Sequence, residues 1–126
     1  MPTIVNVGGV DRAFFMAVPL VPPSANTSVR HARGRHYVPA NVKAFDQAVR
    51  LFAKGKSIEG KHFKVKATVF LGFAQRGDVD NFQKPLIDAL VKAGVISSDA
   101  KARECSIRKE RDPKEPRTEI CVELCL

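Results

Sequence analysis

Apolar residues alternate with polar ones in some stretches of the chain and recur at helical spacing in others. Every second residue from Phe63 to Leu71 is apolar, which predicts a strand with one buried face. Helical spacing of apolar residues predicts two amphipathic helices, one before this strand in the sequence and one after it. The predicted elements are strand 12–20, helix 41–53, strand 61–73, helix 80–93 and strands 102–109 and 118–124.

The order of these elements is β-α-β-α-β-β, which predicts an α+β fold with two helices packed on a small mixed sheet of about four strands. A chain of 126 residues suffices for a single domain with its own core. The polar and basic stretch from Ser24 to Tyr37 is predicted to be a long loop. Residues 1–10 show no clear element and are left as a candidate loose leader.

The second helix carries signals at both ends. Asp80 or Asn81 is the expected N-cap, and Gln83 lies where a capping box would place it. Gly94 is the expected C-terminal stop. Because Pro85 removes a backbone hydrogen bond from the helix, a start one or two residues later is favoured.

Composition indicates which partners to expect. A net charge of +8 and 44% hydrophobic residues describe a basic globular protein, for which polyanions such as nucleic acid are the expected partners. No apolar run approaches the ~20 residues of a membrane span, so a membrane partner is not expected. Three cysteines without a CxxC pair favour reduced thiols in an intracellular protein over disulfides or a zinc site.

Three aspartates interrupt this basic background. Within positions 60–98 the acidic residues are Asp78, Asp80 and Asp88. Asp78 and Asp80 point to one side if the chain is extended there, and Asp80, Lys84 and Asp88 share the polar face of the helix. Asp99, in a polar turn, is a candidate further ligand, and oxygen ligands of this kind suit Mg²⁺.

A purely structural interpretation of the same residues stays open at this point. Asp80 would then cap the helix, Lys84 and Asp88 would form a solvated ion pair, and Asp99 would serve the turn.

Arginines are concentrated in the predicted loop, at Arg30, Arg33 and Arg35, and no acidic residue lies between positions 12 and 45. Arginine forks clamp phosphates, and Tyr37 could stack on a base. The alternative is a loop that is merely solvated.

These motifs resemble the RusA family of Holliday junction resolvases, over about residues 13–124. The resemblance is carried by the segment Pro22-Pro23-Ser24-Ala25-Asn26 with the basic loop, by Asp78-x-Asp80-Asn81-x-x-Lys84-x-x-x-Asp88-Ala89-Leu90, and by Gly94 followed by Asp99. It implies a Mg²⁺-dependent endonuclease of bacterial or phage origin that acts in recombination and repair. It also implies a homodimer that nicks a four-way DNA junction in pairs.

The resemblance further implies that Asp78, Asp80 and Asp99 bind the metal and that Lys84 is the essential lysine. Asp88 is then secondary.

Two positions depart from the family pattern. Ser98 precedes Asp99, where family members often carry two consecutive acids. Gly77 precedes Asp78, where some members carry a basic residue, and Arg76 lies one step back as a candidate phosphate contact.

The leading hypothesis is therefore metal-assisted phosphodiester hydrolysis, with junction binding by the three loop arginines, Arg76 and Lys84. The alternatives are a non-catalytic basic DNA-binding protein and a nuclease for other branched DNA.

Overall fold

The computed structural model describes residues 2–7, 9–24, 30–32, 35–37 and 40–125. Its elements are β1 (Thr3–Val7), β2 (Val10–Val18), β3 (Arg30–Ala32), β4 (Arg35–Tyr37), α1 (Ala40–Ala53), β5 (Phe63–Leu71), α2 (Val79–Lys92), a 3-10 turn (Asp99–Lys101), β6 (Ala102–Arg111) and β7 (Arg117–Leu124). The predicted α+β class is confirmed, and each of the six predicted elements overlaps an observed one.

Five of the strands form a mixed sheet in the order β1-β2-β7-β5-β6. Its neighbours pair antiparallel except β5 and β6, which run parallel with α2 as the crossover between them. This β5-α2-β6 unit determines where the aspartates lie, because Asp78 precedes α2 and Asp99 follows it.

Residues 1–10, which the sequence leaves as a candidate loose leader, include β1. This strand pairs antiparallel with β2 and ends with Val7 opposite Val10, which brings the sheet to five strands. Gly9 has a φ of +83°, and its N–H donates to Asn6 Oδ1 at 3.1 Å. A strand of five residues is too short for its own alternation to identify it, and pairing with β2 supplies the stabilisation.

The prediction of a continuous loop from Ser24 to Tyr37 is wrong in part. Arg30 pairs with Tyr37 and Ala32 with Arg35, so that β3 and β4 form a separate two-stranded ribbon. Three-residue strands leave too little sequence for a periodic signal.

One face of the sheet carries the core. Phe63, Val65, Ala67, Val69 and Leu71 are all buried, as their alternation predicted. The helices cover this face with their own buried residues, Val42, Phe45, Val49 and Ala53 from α1 and Phe82, Pro85, Leu86, Ile87, Ala89 and Leu90 from α2.

The opposite face of the sheet carries charged side chains. Lys64 pairs with Glu104 and Lys66 with Glu123, each at 3.6 Å. Exposed pairs of this kind contribute little to stability, so burial on the helix-covered face stabilises the fold.

Candidate active site

Helix α2 begins one residue after Asp78, earlier than predicted. Asp78 is the N-cap residue, with an extended backbone, but its side chain makes no capping hydrogen bond. Asp80 and Asn81 lie inside the helix, so the predicted cap and the capping box at Gln83 are wrong. The carboxylate of Asp80 is therefore not needed to cap the helix, which removes one of the structural interpretations.

Pro85 is accommodated within α2 rather than delaying its start. Its side chain is buried on the same side of the helix as Leu86 and Ala89. Tertiary packing thus outweighs the loss of one backbone hydrogen bond.

Side chains from β6 hold the connection between β5 and α2. Lys109 Nζ donates to the carbonyl oxygen of Gly77 at 3.0 Å. Arg111 Nη1 donates to the carbonyl oxygen of Gly72 at 2.8 Å and reaches that of Phe73 at 3.4 Å. The segment that leads to Asp78 is therefore tied to the neighbouring strand at both of its ends.

Gly77 explains one departure from the family pattern. Its φ is +157°, and a Cβ added there would clash with the ring of Phe82, whose Cε1 would lie 2.7 Å away. Phe82 is 1% exposed and cannot readily move aside. A basic side chain does not fit at position 77, whereas Arg76 is exposed to solvent.

A groove of about 420 Å³ runs between α2 and the start of β6. Its lining residues are Asp80, Gln83, Lys84, Ile87, Asp88, Asp99, Ala102, Arg103 and Cys105. The structure thus brings Asp80, Lys84 and Asp99 to one groove. Asp78, exposed at the N-cap, is not among the lining residues of this groove.

Lys84 and Asp88 form an ion pair across one helical turn, with Lys84 Nζ 3.3 Å from Asp88 Oδ2. The Lys84 side chain is 69% exposed and that of Asp88 is 38% exposed. Pairs with this exposure and spacing contribute about 0.3–0.5 kcal/mol, so a phosphate can compete readily for Lys84.

The turn before β6 positions Asp99. The Ser98 hydroxyl accepts the Ala100 N–H at 3.2 Å and thereby caps the 3-10 turn. Val95 and Ile96, both fully buried, fix the chain just before it. Ser98, which stands where family members often carry an acid, has a structural role in this chain.

A magnesium ion at this groove needs oxygen ligands from the protein. Among the described residues, no group of three His, Cys, Asp or Glu side chains is close enough to hold a metal ion. Asp80 and Asp99 nevertheless offer exposed carboxylates to one groove. Magnesium often uses one or two carboxylates with water and substrate phosphates, which fits these two residues. The three-aspartate set stays a prediction.

The three cysteines are free thiols, and two of them have little nucleophilic character. Burial raises the pKa of Cys105, which borders the groove. Burial, followed by the charge of Glu123, raises the pKa of Cys121 to about 11. Both thiols are therefore protonated near neutral pH and poor metal ligands.

The predicted DNA-contacting residues are spread over two regions. Arg30 and Arg35 belong to β3 and β4, whereas Arg33 lies outside the described residues. Arg76 is exposed beside Asp78. Sequence reasoning missed Arg103, which lines the groove, although its place four residues after Asp99 at the start of a strand is a usable signal.

Comparison with known proteins agrees with the motifs. The family model described as endodeoxyribonuclease RusA matches residues 19–123. The chain belongs to the RusA family. No helix in the described part of this RusA-family chain is long and apolar enough to cross a membrane.

Relatives of similar length carry the family name. The crossover junction endodeoxyribonuclease of Enterobacteria phage 82 is 32% identical over 104 residues, which cover 80% of this chain and 87% of that relative. A crossover junction endodeoxyribonuclease of Escherichia coli matches with the same identity and coverage. Among solved structures, the periplasmic domain of Helicobacter pylori MotB matches at 10% identity over 98% of this chain and 85% of that chain. Its TM-score of 0.37 is too low to support any argument.

Proposed function

We propose that this RusA-family chain is a Mg²⁺-dependent endodeoxyribonuclease that resolves four-way DNA junctions by paired nicks in recombination and repair. The observation that carries the proposal is the groove shared by Asp80, Lys84 and Asp99 in a chain of net charge +8. The names of the relatives support the junction as substrate.

The carboxylates of Asp80 and Asp99 would hold the metal, and Asp78, two residues before Asp80, would contribute once DNA is bound. A magnesium ion held there would supply an activated water and would compensate the negative charge that develops on the phosphate. Lys84 would contact the scissile phosphate with its exposed ammonium group. Asp88 would only orient Lys84 through their ion pair.

Junction binding would rest on phosphate contacts by the arginines of positions 30, 33 and 35 together with Arg76 and Lys84. Such binding weakens as salt rises, because each contact releases condensed counterions. A homodimer with twofold symmetry would present two grooves to the two strands that must be cut.

The direct test is Asp80→Asn on a synthetic four-way junction in Mg²⁺. We expect the cleavage rate to fall at least about 100-fold. The variant loses a metal ligand and with it the positive charge that would stabilise the phosphate. Junction affinity, measured by gel shift without metal, should be retained. The control is Asp46→Asn, which removes a carboxylate on α1 that pairs with Lys92 at 2.8 Å outside the groove.

Full cleavage by Asp80→Asn would rule out the assigned site. A wild-type protein that shifts the junction but never nicks it in Mg²⁺ would instead be a non-catalytic DNA-binding protein. Equal cutting of junction, flap and linear duplex would contradict junction selectivity.

A further inference from the structure

Phe73 is exceptionally exposed for an aromatic residue. The residue is 87% exposed, more than any other large hydrophobic residue in the described part of the chain. Burial of a phenylalanine side chain contributes about 1.5–3 kcal/mol to folding stability, and the exposed Phe73 makes little of this contribution. Phe73 lies in the connection between β5 and α2, five residues before Asp78.

The backbone under Phe73 is held rigidly. The Gly72 N–H donates to Gln75 Oε1 at 2.7 Å, and the Gln75 N–H donates back to the Gly72 carbonyl at 3.3 Å. Arg111 binds the same carbonyl from β6. Pro116 packs so closely that a Cβ at position 72 would lie 3.0 Å from its Cγ. The ring therefore projects from a fixed turn, which lowers the entropy cost of using it in binding.

Cationic side chains surround this turn. Arg76 is exposed three residues later, and Lys109 and Arg111 reach the connection from β6. Cations attract phosphates, and an exposed aromatic ring stacks on the flat face of any base. This combination of charge and aromatic surface suits DNA whose bases are unstacked or at the end of a stack.

We infer that Phe73 stacks on a base at the branch point of the DNA junction. The inference rests on the proposed function, and it makes Phe73 a residue that positions the DNA relative to the groove. Five residues span at most about 18 Å, so the stacked base would lie within about five base-pair steps of a phosphate at Asp78. Stacking would thus fix which phosphates near the branch point reach the groove.

The test measures stacking without cleavage. A four-way junction with 2-aminopurine at the branch point is titrated with the full chain in EDTA. Phe73→Ala should weaken junction binding about 10-fold and abolish the fluorescence change of the probe, while binding to linear duplex stays unchanged. Because the chain contains no tryptophan, Phe73→Trp introduces a unique fluorophore, which the junction should quench.

Leu51→Ala is the matched control, because Leu51 is 70% exposed on α1 and should not affect either signal. Unchanged probe fluorescence and affinity in Phe73→Ala would overturn the inference. A change only in oligomeric state, measured by sedimentation, would also overturn it and indicate a protein contact.

The two proposals fail in different ways. If the wild-type protein cleaves the junction and Phe73→Ala behaves like the wild type in EDTA, the stacking inference fails alone. If the wild-type protein never cleaves in Mg²⁺ but the 2-aminopurine signal depends on Phe73, the nuclease assignment fails alone.

Discussion

The two connections on either side of α2 are held in place by different groups. After α2, the Val95 N–H donates to the Leu90 carbonyl and the Gly94 N–H to the Val91 carbonyl, each at 3.0 Å. Gly94 has a φ of +78°, so these bonds form a Schellman motif. Every group involved lies within six residues of the others. The same connection also receives one long-range bond, from the Ile58 N–H to the Val95 carbonyl at 3.0 Å.

Before α2, two local hydrogen bonds between Gly72 and Gln75 are joined by side chains from far along the chain. Lys109 binds the carbonyl of Gly77 from 32 residues away, and Arg111 binds that of Gly72 from 39 residues away. These bonds exist only after β6 has paired with β5. The contrast shows that the helix stop before Asp99 is a local motif, whereas side chains of β6 hold the segment before Asp78.

The largest effect on stability is expected at the connection after α2. Ile96 is 1% exposed and precedes the turn that carries Asp99. Ile96→Ala should lower the free energy of unfolding by about 2–5 kcal/mol, because it leaves a cavity in the core. Urea denaturation measures the change, and Leu51→Ala on exposed α1 serves as the control. A loss below about 1 kcal/mol would show that this connection is not anchored by burial.

The same contrast explains what sequence alone could predict. Gly94 as the helix stop and the polar turn at Ser98 and Asp99 are local signals, and both are found in the structure. Helix α2 begins at Val79, earlier than the cap signals at Asp80 and Asn81 predict, and the ring of Phe82 packs under Gly77 near this start. No local pattern reveals that packing.

The strands also divide into those that a local pattern predicts and those that it does not. β5 alternates over nine residues and was predicted, whereas β1 and the β3–β4 ribbon are too short to show a period. The groove residues Asp80, Lys84 and Asp99 could also be predicted from the sequence, because helical spacing and the family motif identify them. The sequence did not predict Arg103 or the supporting roles of Lys109 and Arg111, because these depend on how β6 lies beside β5 and α2.

An intermediate effect is expected where the connection before α2 touches the core. Gly77→Ala should cost about 1–3 kcal/mol in unfolding free energy, because the new Cβ meets the buried ring of Phe82. In a Phe82→Leu background the cost should fall by about half, since the smaller side chain leaves room. A double-mutant cycle in urea measures this coupling. Additive effects of the two substitutions would refute the proposed contact between them.

The smallest effect on stability is expected at the long-range hydrogen bonds. Arg111→Met removes the donor to Gly72 and Phe73 but no buried apolar surface. The unfolding free energy should therefore change by less than about 1 kcal/mol. Cleavage of the four-way junction should nevertheless fall about 10-fold, because the segment that leads to Asp78 loses its fixed position.

Arg108→Met is the matched control for this substitution. Arg108 lies on the same strand and carries the same charge, but it pairs with Glu110 at 2.8 Å rather than with the connection. Hydrogen exchange of the amides between Gly72 and Gly77 should accelerate in Arg111→Met and not in Arg108→Met. Equal losses of cleavage in the two variants would mean that Arg111 acts only through its charge on DNA. Loss confined to Arg111→Met, together with faster exchange, would mean that β6 positions Asp78 through the backbone it holds.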